Sequence, residues 1–312
     1  MNDLKQLKKK NRLSGTTKDN VQLFFLQLPA LILFIVFCYV PMYGVIIAFK
    51  NYNPNLGIFK SPWVGLKNFE FFFASSDAFR IIRNTACYGV AFLILQTFFS
   101  VLVALLLYNL TKRWLVKTYN TIMILPKFMS AVLVSYIVYA LLNPSSGLAN
   151  ALLTSLGKEA VDWYSIPAAW PFILTYVHLW MTVGWSSIIY YAALMGINPE
   201  LFEAAEIDGA SKFTQTVKIA VPEIMSLITI QVILACGSIF QGDFGLFYQV
   251  PRNVATLYPT TDIINTYTFR ALMGGSMTKS AAVGLMQSVV GIILIVTVNL
   301  IVKKISPEDS LF

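Results

Sequence analysis

The chain has 312 residues, of which 57% are hydrophobic and only 12% are charged, and its net charge is +8. Soluble domains are about 45–50% apolar and about 25% charged, so this composition leaves too little polar surface to cover a water-soluble globule. It excludes an ordinary cytosolic enzyme, a disulfide-rich secreted scaffold and a disordered chain, and it indicates an integral membrane protein with several spans.

Six apolar runs are long enough to cross a bilayer core of about 30 Å, which takes roughly 20 helical residues. We therefore predict an all-α integral membrane fold with six transmembrane helices. The fold leaves a basic N-terminal tail at residues 1–22, a membrane domain at 23–306 and a C-terminal tail at 307–312. The predicted spans cover residues 23–49, 84–109, 119–142, 168–195, 222–246 and 281–302.

Lysine and arginine predict the orientation, because the cytoplasmic loops of membrane proteins carry an excess of them. With the N-terminus inside, the cytoplasmic segments hold 13 of these residues and the outer segments hold nine. We therefore predict that both termini are cytoplasmic. A basic tail on so apolar a chain is typical of contact with anionic lipid rather than with nucleic acid. The tail carries Lys5, Lys8, Lys9, Lys10, Arg12 and Lys18.

The sequence contains no recognisable catalytic motif. Residues 274–280, Gly-Gly-Ser-Met-Thr-Lys-Ser, lack the glycine before the lysine that a phosphate-binding loop requires. Leu13-Ser14-Gly15 is similar to the start of an ATPase signature, but the remainder of that signature is missing. The only histidine, His178, cannot form a metal site alone and is interpreted as a packing residue. We predict a chain that is not an enzyme and holds no cofactor or metal, so energy for any work must enter through a partner.

The segment between the fourth and fifth spans, residues 198–222, is the most informative stretch. Asn198 can cap a helix, and Pro199 suits its first position. Glu203-Ala204-Ala205 would then lie on a helix with small and acidic side chains. After Asp208, Gly209 is expected to end the helix, because glycine readily adopts positive φ. The segment is either a solvated helical hairpin or a surface on which another protein docks.

The same segment resembles a known family. Glu203-Ala204-Ala205, Asp208-Gly209-Ala210, Phe213 and Pro222 are similar to the EAA loop of the inner-membrane permease subunits of binding-protein-dependent ABC importers. Flanking motifs resemble the carbohydrate-uptake (maltose-type) members, in particular the branch with lipoprotein-associated and pectin-oligosaccharide permeases of Gram-positive bacteria. The flanking motifs are Val64–Phe69, Asn84-Thr85, Leu125-Pro126, Gly147–Asn150, Asp243–Tyr248 and residues 261–267.

The resemblance implies an assembly. Its members would be a second homologous permease, two copies of a cytoplasmic ATPase that binds ATP and Mg²⁺, and an extracellular sugar-binding lipoprotein, in a bacterial plasma membrane. The matching residues Glu203, Ala204, Ala205, Asp208 and Gly209 would form a coupling helix that docks in the ATPase. Transport would proceed by alternating access and would import an oligosaccharide.

Polar and small residues within spans predict the solute path, because lipid cannot satisfy polar groups. Gln231, Ala235, Ser238 and Gly242 are predicted to share one stripe of the fifth helical span, with Gln241 beside it. Aromatic and hydroxyl groups suit sugars, but the same residues also pack membrane helices together, so both interpretations stay open. The remaining candidates are Trp180, Ser187 and Tyr191 in the fourth span and Lys127, the basic residue within the third.

Three alternatives remain at this stage. An integral-membrane enzyme that processes lipids would need paired acids or a metal motif, which we do not find in the sequence. A membrane scaffold that recruits a partner without transport is compatible with the loop at 198–222. A permease for a non-sugar small solute differs only in its cargo.

Overall fold

A computed structural model describes residues 19–309 of the chain. The basic residues from Lys5 to Lys18 and residues 310–312 lie outside the described residues. Secondary structure in the described range is helical, apart from one isolated antiparallel bridge between Lys50 and Trp63. The main helices are α1 (Asp19–Phe49), α2 (Lys67–Ala74), α3 (Ser76–Tyr108), α4 (Arg113–Ile124), α5 (Ala131–Leu142), α6 (Leu148–Ser155), α7 (Trp170–Met195), α8 (Pro199–Ile207), α9 (Lys212–Glu223), α10 (Met225–Cys236), α11 (Phe244–Gln249), α12 (Ile264–Met273) and α13 (Met277–Ile305).

Four helices are individually long and apolar enough to cross a membrane. They are α1, α3, α7 and α13, and they correspond to the first, second, fourth and sixth predicted spans. Two further spans exist if each of two bent helix pairs counts as one. The prediction of an all-α membrane fold is therefore confirmed, whereas the third and fifth spans are not the continuous helices that we expected.

The predicted span 119–142 is broken in the middle. Helices α4 and α5 meet at 101°, with a short 3₁₀ turn, Leu125–Phe128, between them. Pro126 has no N–H for the helical ladder, and Ser130 begins a new helix by accepting a hydrogen bond from the backbone N–H of Leu133. Lys127 therefore lies at a bend, with its side chain exposed, rather than inside a straight helix.

The predicted span 222–246 is also wrong as a single helix. Helices α9 and α10 meet at 56° near Ile224, and α10 ends at Cys236. A turn follows, in which Gly242 has φ +61°, before α11 begins. The helical stripe that we predicted through Ser238 and Gly242 consequently stops at the end of α10.

Close packing joins α3 and α7 to α5 and α11. Apolar side chains from α3, α5, α7 and α11 form one core, which includes Tyr88, Val134, Trp170 and Phe247. Gly184 lets α7 approach α4 so closely that a Cβ there would overlap the carbonyl oxygen of Met123. In contrast, the most apolar part of α1 buries none of its residues against the rest of the described chain.

Candidate coupling loop and solute path

Helix α8 begins and ends as the sequence of residues 198–209 predicts. The Oδ1 of Asn198 accepts a hydrogen bond from the backbone N–H of Glu200 at 3.1 Å, and Pro199 is the first helical residue. Gly209, with φ +76°, ends the helix, and the next backbone N–H, from Ala210, returns to the carbonyl of Ala205 at 2.9 Å. The turn is therefore closed by its own backbone.

One side of α8 packs on the membrane domain and the other is open. Phe202 contacts the ring of Tyr108, with centroids 5.8 Å apart, and packs against a buried cluster of α3, α7 and α9 residues. Ile207 is 88% exposed at the free end, and Phe213 is 78% exposed just beyond it. Two exposed large apolar side chains beside a charged helix are typical of a protein-binding surface. Around them, Glu203, Ala204, Asp208 and Gly209 are exposed, while Ala205 is partly buried.

A cavity of about 230 Å³ opens between α3, α7 and the turn after α10. Aromatic rings and polar groups alternate on its wall. Ser238 and Gln241, both predicted for the path, line this cavity, although neither belongs to a helix. Further lining residues are Tyr88, Phe92, Gln96, His178, Asp243 and Ile263.

A chain of hydrogen bonds crosses the wall of this cavity. The Nε2 of His178 lies 2.9 Å from the Oε1 of Gln96, whose Nε2 donates to the hydroxyl of Ser186 at 2.9 Å. Phe92 stacks on the His178 ring, with centroids 3.8 Å apart and an interplanar angle of 7°. The histidine is therefore fixed in orientation and presents polar and aromatic surface to the cavity, which goes beyond the packing role that we expected.

A second cavity of about 90 Å³ continues from the first towards α8 along the same helices. The two share Leu93, Gln96 and Ala235 in their walls. Gln231 lines the second cavity together with Ser100. We name the two cavities together the polar seam. A seam of amide, hydroxyl and aromatic groups between membrane helices can bind a hydrated or sugar-like solute by hydrogen bonding and ring stacking.

The other predicted path residues lie away from the seam. Ser187 is completely buried, and its hydroxyl donates to the carbonyl of Gly184, on the side of α7 that packs against α4. Trp180 lines an apolar groove between α5 and α7. Tyr191 packs near the cluster under α8. For Ser187, the structure favours helix packing over contact with a solute.

Sequence reasoning missed several lining residues. Gln96, Ser100 and Ser186 lie in apolar runs, where each interrupts a hydrophobic stretch without any motif around it. The signal that could have found them is the polar residue itself, since a side-chain amide inside a span must find partners. Pairing Gln96 with the neighbouring α7 residues required knowledge of which helices pack together.

A multi-span helical chain with a polar seam and a short exposed helix at one end is typical of a membrane permease subunit. The family described as "Binding-protein-dependent transport system inner membrane component" matches residues 92–307, and the chain belongs to that family. The resemblance noted from the EAA-type loop is thereby confirmed.

Two relatives from Bacillus subtilis (strain 168) cover nearly the whole chain. Protein LplB is 36% identical over 294 residues, which are 93% of this chain and 91% of LplB. The polygalacturonan/rhamnogalacturonan transport system permease protein YteP is 36% identical over 306 residues, which are 96% of this chain and 93% of YteP. The match over nearly all of each length means that the comparison applies to the whole membrane domain.

A solved structure gives the same architecture. A chain of a bacterial ABC transporter involved in the import of the acidic polysaccharide alginate superposes with a TM-score of 0.85 at 30% identity, covering 95% of this chain and 99% of that one. The same kind of chain, in a complex with an alginate pentasaccharide-bound periplasmic protein, gives a TM-score of 0.84. The bent third and fifth spans therefore belong to a fold that a transporter uses.

Proposed function

We propose that this chain is the permease subunit of an ATP-driven, binding-protein-dependent importer of oligosaccharides. The observation that carries the proposal is the coexistence, in one chain of this family, of the polar seam and the exposed helix α8. The relatives supply the cargo class, because YteP is named for polygalacturonan and rhamnogalacturonan and the structural neighbour for alginate. The chain itself would bind no ATP, metal or cofactor and would not be an enzyme.

Helix α8 is proposed as the coupling helix for a cytoplasmic ATPase. Glu203 and Asp208 would pair with basic groups of the partner, and Ile207 would enter an apolar pocket there. Ala204 and Ala205 would permit close approach, and the turn at Gly209 would hold the helix at its angle to the membrane domain. Two ATPase copies, each with ATP and Mg²⁺, would then act on this chain and on a second permease.

The exposure of helix α1 is an argument for a second permease. Helix α1 contains a strongly apolar window, and this window buries nothing in this chain. A homologous permease would cover part of this helix, lipid would cover the rest, and an extracellular sugar-binding lipoprotein would deliver the cargo. We place the importer in the plasma membrane with both termini cytoplasmic, and the Bacillus relatives favour a Gram-positive cell.

The path is proposed to follow the polar seam during alternating access. Gln231 would contact the solute in the inner part, and Ser238 and Gln241 in the outer part. Lys127, exposed at the bend of the third span, and Trp180 would face the second permease across the path, while Ser187 and Tyr191 would hold α7 in position. ATP-driven movement of α8 can shift the equilibrium only if the solute binds the two states with different free energies.

The decisive experiment is to isolate the tagged chain gently from its native membrane and identify its companions by mass spectrometry. A second permease and an ATPase should co-purify, and vesicles holding the complex and its binding protein should take up an oligosaccharide when ATP is supplied. Isolation without an ATPase, even after cross-linking, would overturn the coupling role and favour a scaffold or a lipid-processing protein. Uptake of another solute but no sugar would establish the non-sugar permease.

A further inference from the structure

A third cavity, separate from the polar seam, lies between α5 and the turn that follows α11. It measures about 350 Å³, within the range of about 300–1,000 Å³ that is usual for small-molecule sites. In the orientation proposed above it belongs to the outer half of the chain. We name it the Arg252 cavity. Its wall consists of Val132, Ser135, Tyr136, Tyr248, Gln249, Arg252 and Asn253.

The backbone of the turn is held in a conformation that is uncommon for arginine. Arg252 has φ 57° and Asn253 has φ 51°, and the left-handed region is sparsely populated by side chains other than glycine. Backbone hydrogen bonds fix both, since Arg252 N donates to the carbonyl of Gln249 at 3.0 Å and Asn253 N donates to that of Tyr248 at 3.1 Å. The Ser135 hydroxyl donates to the same Gln249 carbonyl at 2.6 Å and joins the turn to α5. Such local cost is typical of positions where a side chain must be aimed.

The turn aims the Arg252 guanidinium at two tyrosine rings of α5. Its central carbon lies 4.2 Å from the centroid of Tyr139 and 5.7 Å from that of Tyr136. A planar guanidinium that rests on aromatic rings keeps its N–H edge free for a planar anion. Within residues 19–309, none of the ion pairs includes Arg252, so its charge has no carboxylate partner there.

The remaining wall suits a sugar ring beside the guanidinium. Tyr136 is 60% exposed, so part of its ring is open to a ligand. The Tyr258 hydroxyl donates a hydrogen bond to the Oδ1 of Asn253 at 2.9 Å and thereby fixes the orientation of that amide. The Nδ2 of Asn253 has no hydrogen-bond partner among the described residues. Three predicted outer segments, 50–83, 143–167 and 247–280, hold nine basic and five acidic residues, so the local field favours an anion.

We propose that the Arg252 cavity is a subsite for a carboxylate-bearing sugar unit, a uronosyl residue, of the imported oligosaccharide. Arg252 would bind the carboxylate through two parallel N–H donors, Tyr136 would stack on the ring, and Asn253 would donate to a hydroxyl. The proposal rests on the oligosaccharide import proposed above and adds a binding subsite on this chain for an acidic unit of the cargo. It selects a sugar over an acidic side chain of a docked protein because the site combines a partly open aromatic ring with a cavity of monosaccharide size.

The test uses the whole complex in nanodiscs of zwitterionic lipid, which removes anionic headgroups as competitors. Binding of trigalacturonate and of neutral galactotriose is measured by equilibrium dialysis without the binding protein. The wild-type complex should prefer the acid, and Arg252→Gln should weaken the binding of trigalacturonate roughly tenfold, as expected for a lost charge-assisted hydrogen bond, with galactotriose unchanged. Tyr136→Leu should weaken both probes.

The matched control is Lys158→Gln, which removes one exposed positive charge from the segment between α6 and α7, outside the cavity. It should change neither probe. Equal weakening of both probes by Arg252→Gln, no weakening of either, or the absence of any preference in the wild type would overturn the subsite. The subsite would also be overturned if Arg252→Gln left trigalacturonate binding unchanged but weakened the stimulation of ATP hydrolysis by the binding protein. The cavity would then receive a carboxylate of the binding protein instead.

Failure of this subsite and failure of the proposed function give different results. Dialysis reports on sugar binding by the complex, its dependence on Arg252 reports on the cavity, and it needs neither ATP nor binding protein. A complex that co-purifies with its ATPase and imports a sugar, but shows no dependence on Arg252, would retain the function and lose the subsite. A chain without an ATPase would lose the function whatever its dialysis result.

Discussion

The carboxylate of Asp262 lies 2.6 Å from the guanidinium of Arg270 and is only 1% exposed. It also accepts a hydrogen bond from Thr266 at 2.7 Å and lies 3.5 Å from Arg80 of α3, while the Asp262 backbone carbonyl accepts from Asn84 at 3.0 Å. A buried carboxylate is expensive unless it is paired and hydrogen-bonded. These bonds therefore join α3 to α12 next to Ile263, which lines the larger cavity of the polar seam.

Replacing Asp262 should destabilise the junction between α3 and α12. Asp262→Asn removes the charge that both arginines share, although these are partly exposed and can regain water, so we expect a loss of about 1–3 kcal/mol. Thermal unfolding of the purified chain in detergent measures it. The control is Asp77→Asn, because Asp77 pairs with Arg80 at 2.9 Å but is 46% exposed and should contribute about 0–1 kcal/mol. Equal effects of the two variants would contradict the role of burial.

Adding one methyl group at Gly184 should disrupt the packing of α7 on α4. The new Cβ would overlap the Met123 carbonyl, which belongs to the backbone and cannot rotate away. Overpacking of this kind costs about 1–3 kcal/mol, so Gly184→Ala should lower the melting temperature and the yield. The control is Gly284→Ala in α13, where the new Cβ would meet no atom of another element within 4 Å. This variant should be neutral or stabilising by about 0.5–1 kcal/mol. Similar behaviour of both variants would argue against a close approach at Gly184.

Hydropathy predicted the helices but not their breaks. Apolar length alone located α1, α3, α7 and α13, because a span needs only enough hydrophobic residues to cross the bilayer. The 101° bend between α4 and α5 left little trace, since apolar residues such as Ile124, Leu125 and Val132 flank it on both sides. Pro126 is compatible with a helix break, but a proline in a membrane helix can also be accommodated as a mild kink. The direction of the chain after Pro126 depends on tertiary packing.

The candidate site likewise has one part that the sequence predicts and one part that it does not. The α8 loop could be read from local chemistry, because the Asn198 cap and the Gly209 turn act within a few residues. The polar seam depends on contacts between residues far apart, such as Gln96 with His178, which no spacing rule contains. Ser238 shows the consequence, because it was assigned to a helical stripe and instead lines the cavity from a turn.

Charge reversal at Glu203 should uncouple ATP hydrolysis from uptake. The side chain is exposed and takes part in none of the ion pairs of the described chain, so Glu203→Lys should leave folding and membrane insertion unchanged. Repulsion of the basic groups expected in the ATPase should reduce ATP-driven uptake at least about tenfold. Uptake in vesicles and the amount of co-purified ATPase are the measurements. Glu159→Lys, on the predicted opposite side, is the matched control, and normal uptake by Glu203→Lys would contradict docking through α8.

Removing the amide of Gln231 should impair transport more than assembly. The residue lines the smaller cavity of the polar seam, and a leucine of similar volume can neither donate nor accept a hydrogen bond there. For Gln231→Leu we expect a several-fold loss of uptake, since one hydrogen bond contributes about 0.5–1.5 kcal/mol, with normal recovery of the complex. Gln231→Asn, which keeps an amide, should retain more activity. Parallel loss of uptake and of assembled complex would instead identify Gln231 as a packing residue.

The phenol of Tyr164 gives a prediction about pH. Tyr164 precedes α7, its ring packs on Tyr139 and Trp170, and its buried hydroxyl has no hydrogen-bond partner among the described residues. Burial raises the pKa of Tyr164 from 10.0 to about 12, while the nearby charge of Arg252 opposes the rise. Tyr164→Phe removes an unpartnered polar group and should therefore leave stability unchanged, or raise it by up to about 1 kcal/mol, at neutral pH.

The pH dependence follows from the two states of that phenol. Below pH 10 both the folded and the unfolded chain keep its proton, so the residue makes no pH-dependent contribution. As the pH rises from 10 towards 12, the unfolded chain releases the proton while the folded chain retains it, and the folded state loses stability. Thermal unfolding at pH 8, 10 and 11 should thus show a smaller decline for Tyr164→Phe than for the wild type. Parallel declines would mean that water reaches the phenol in the folded protein.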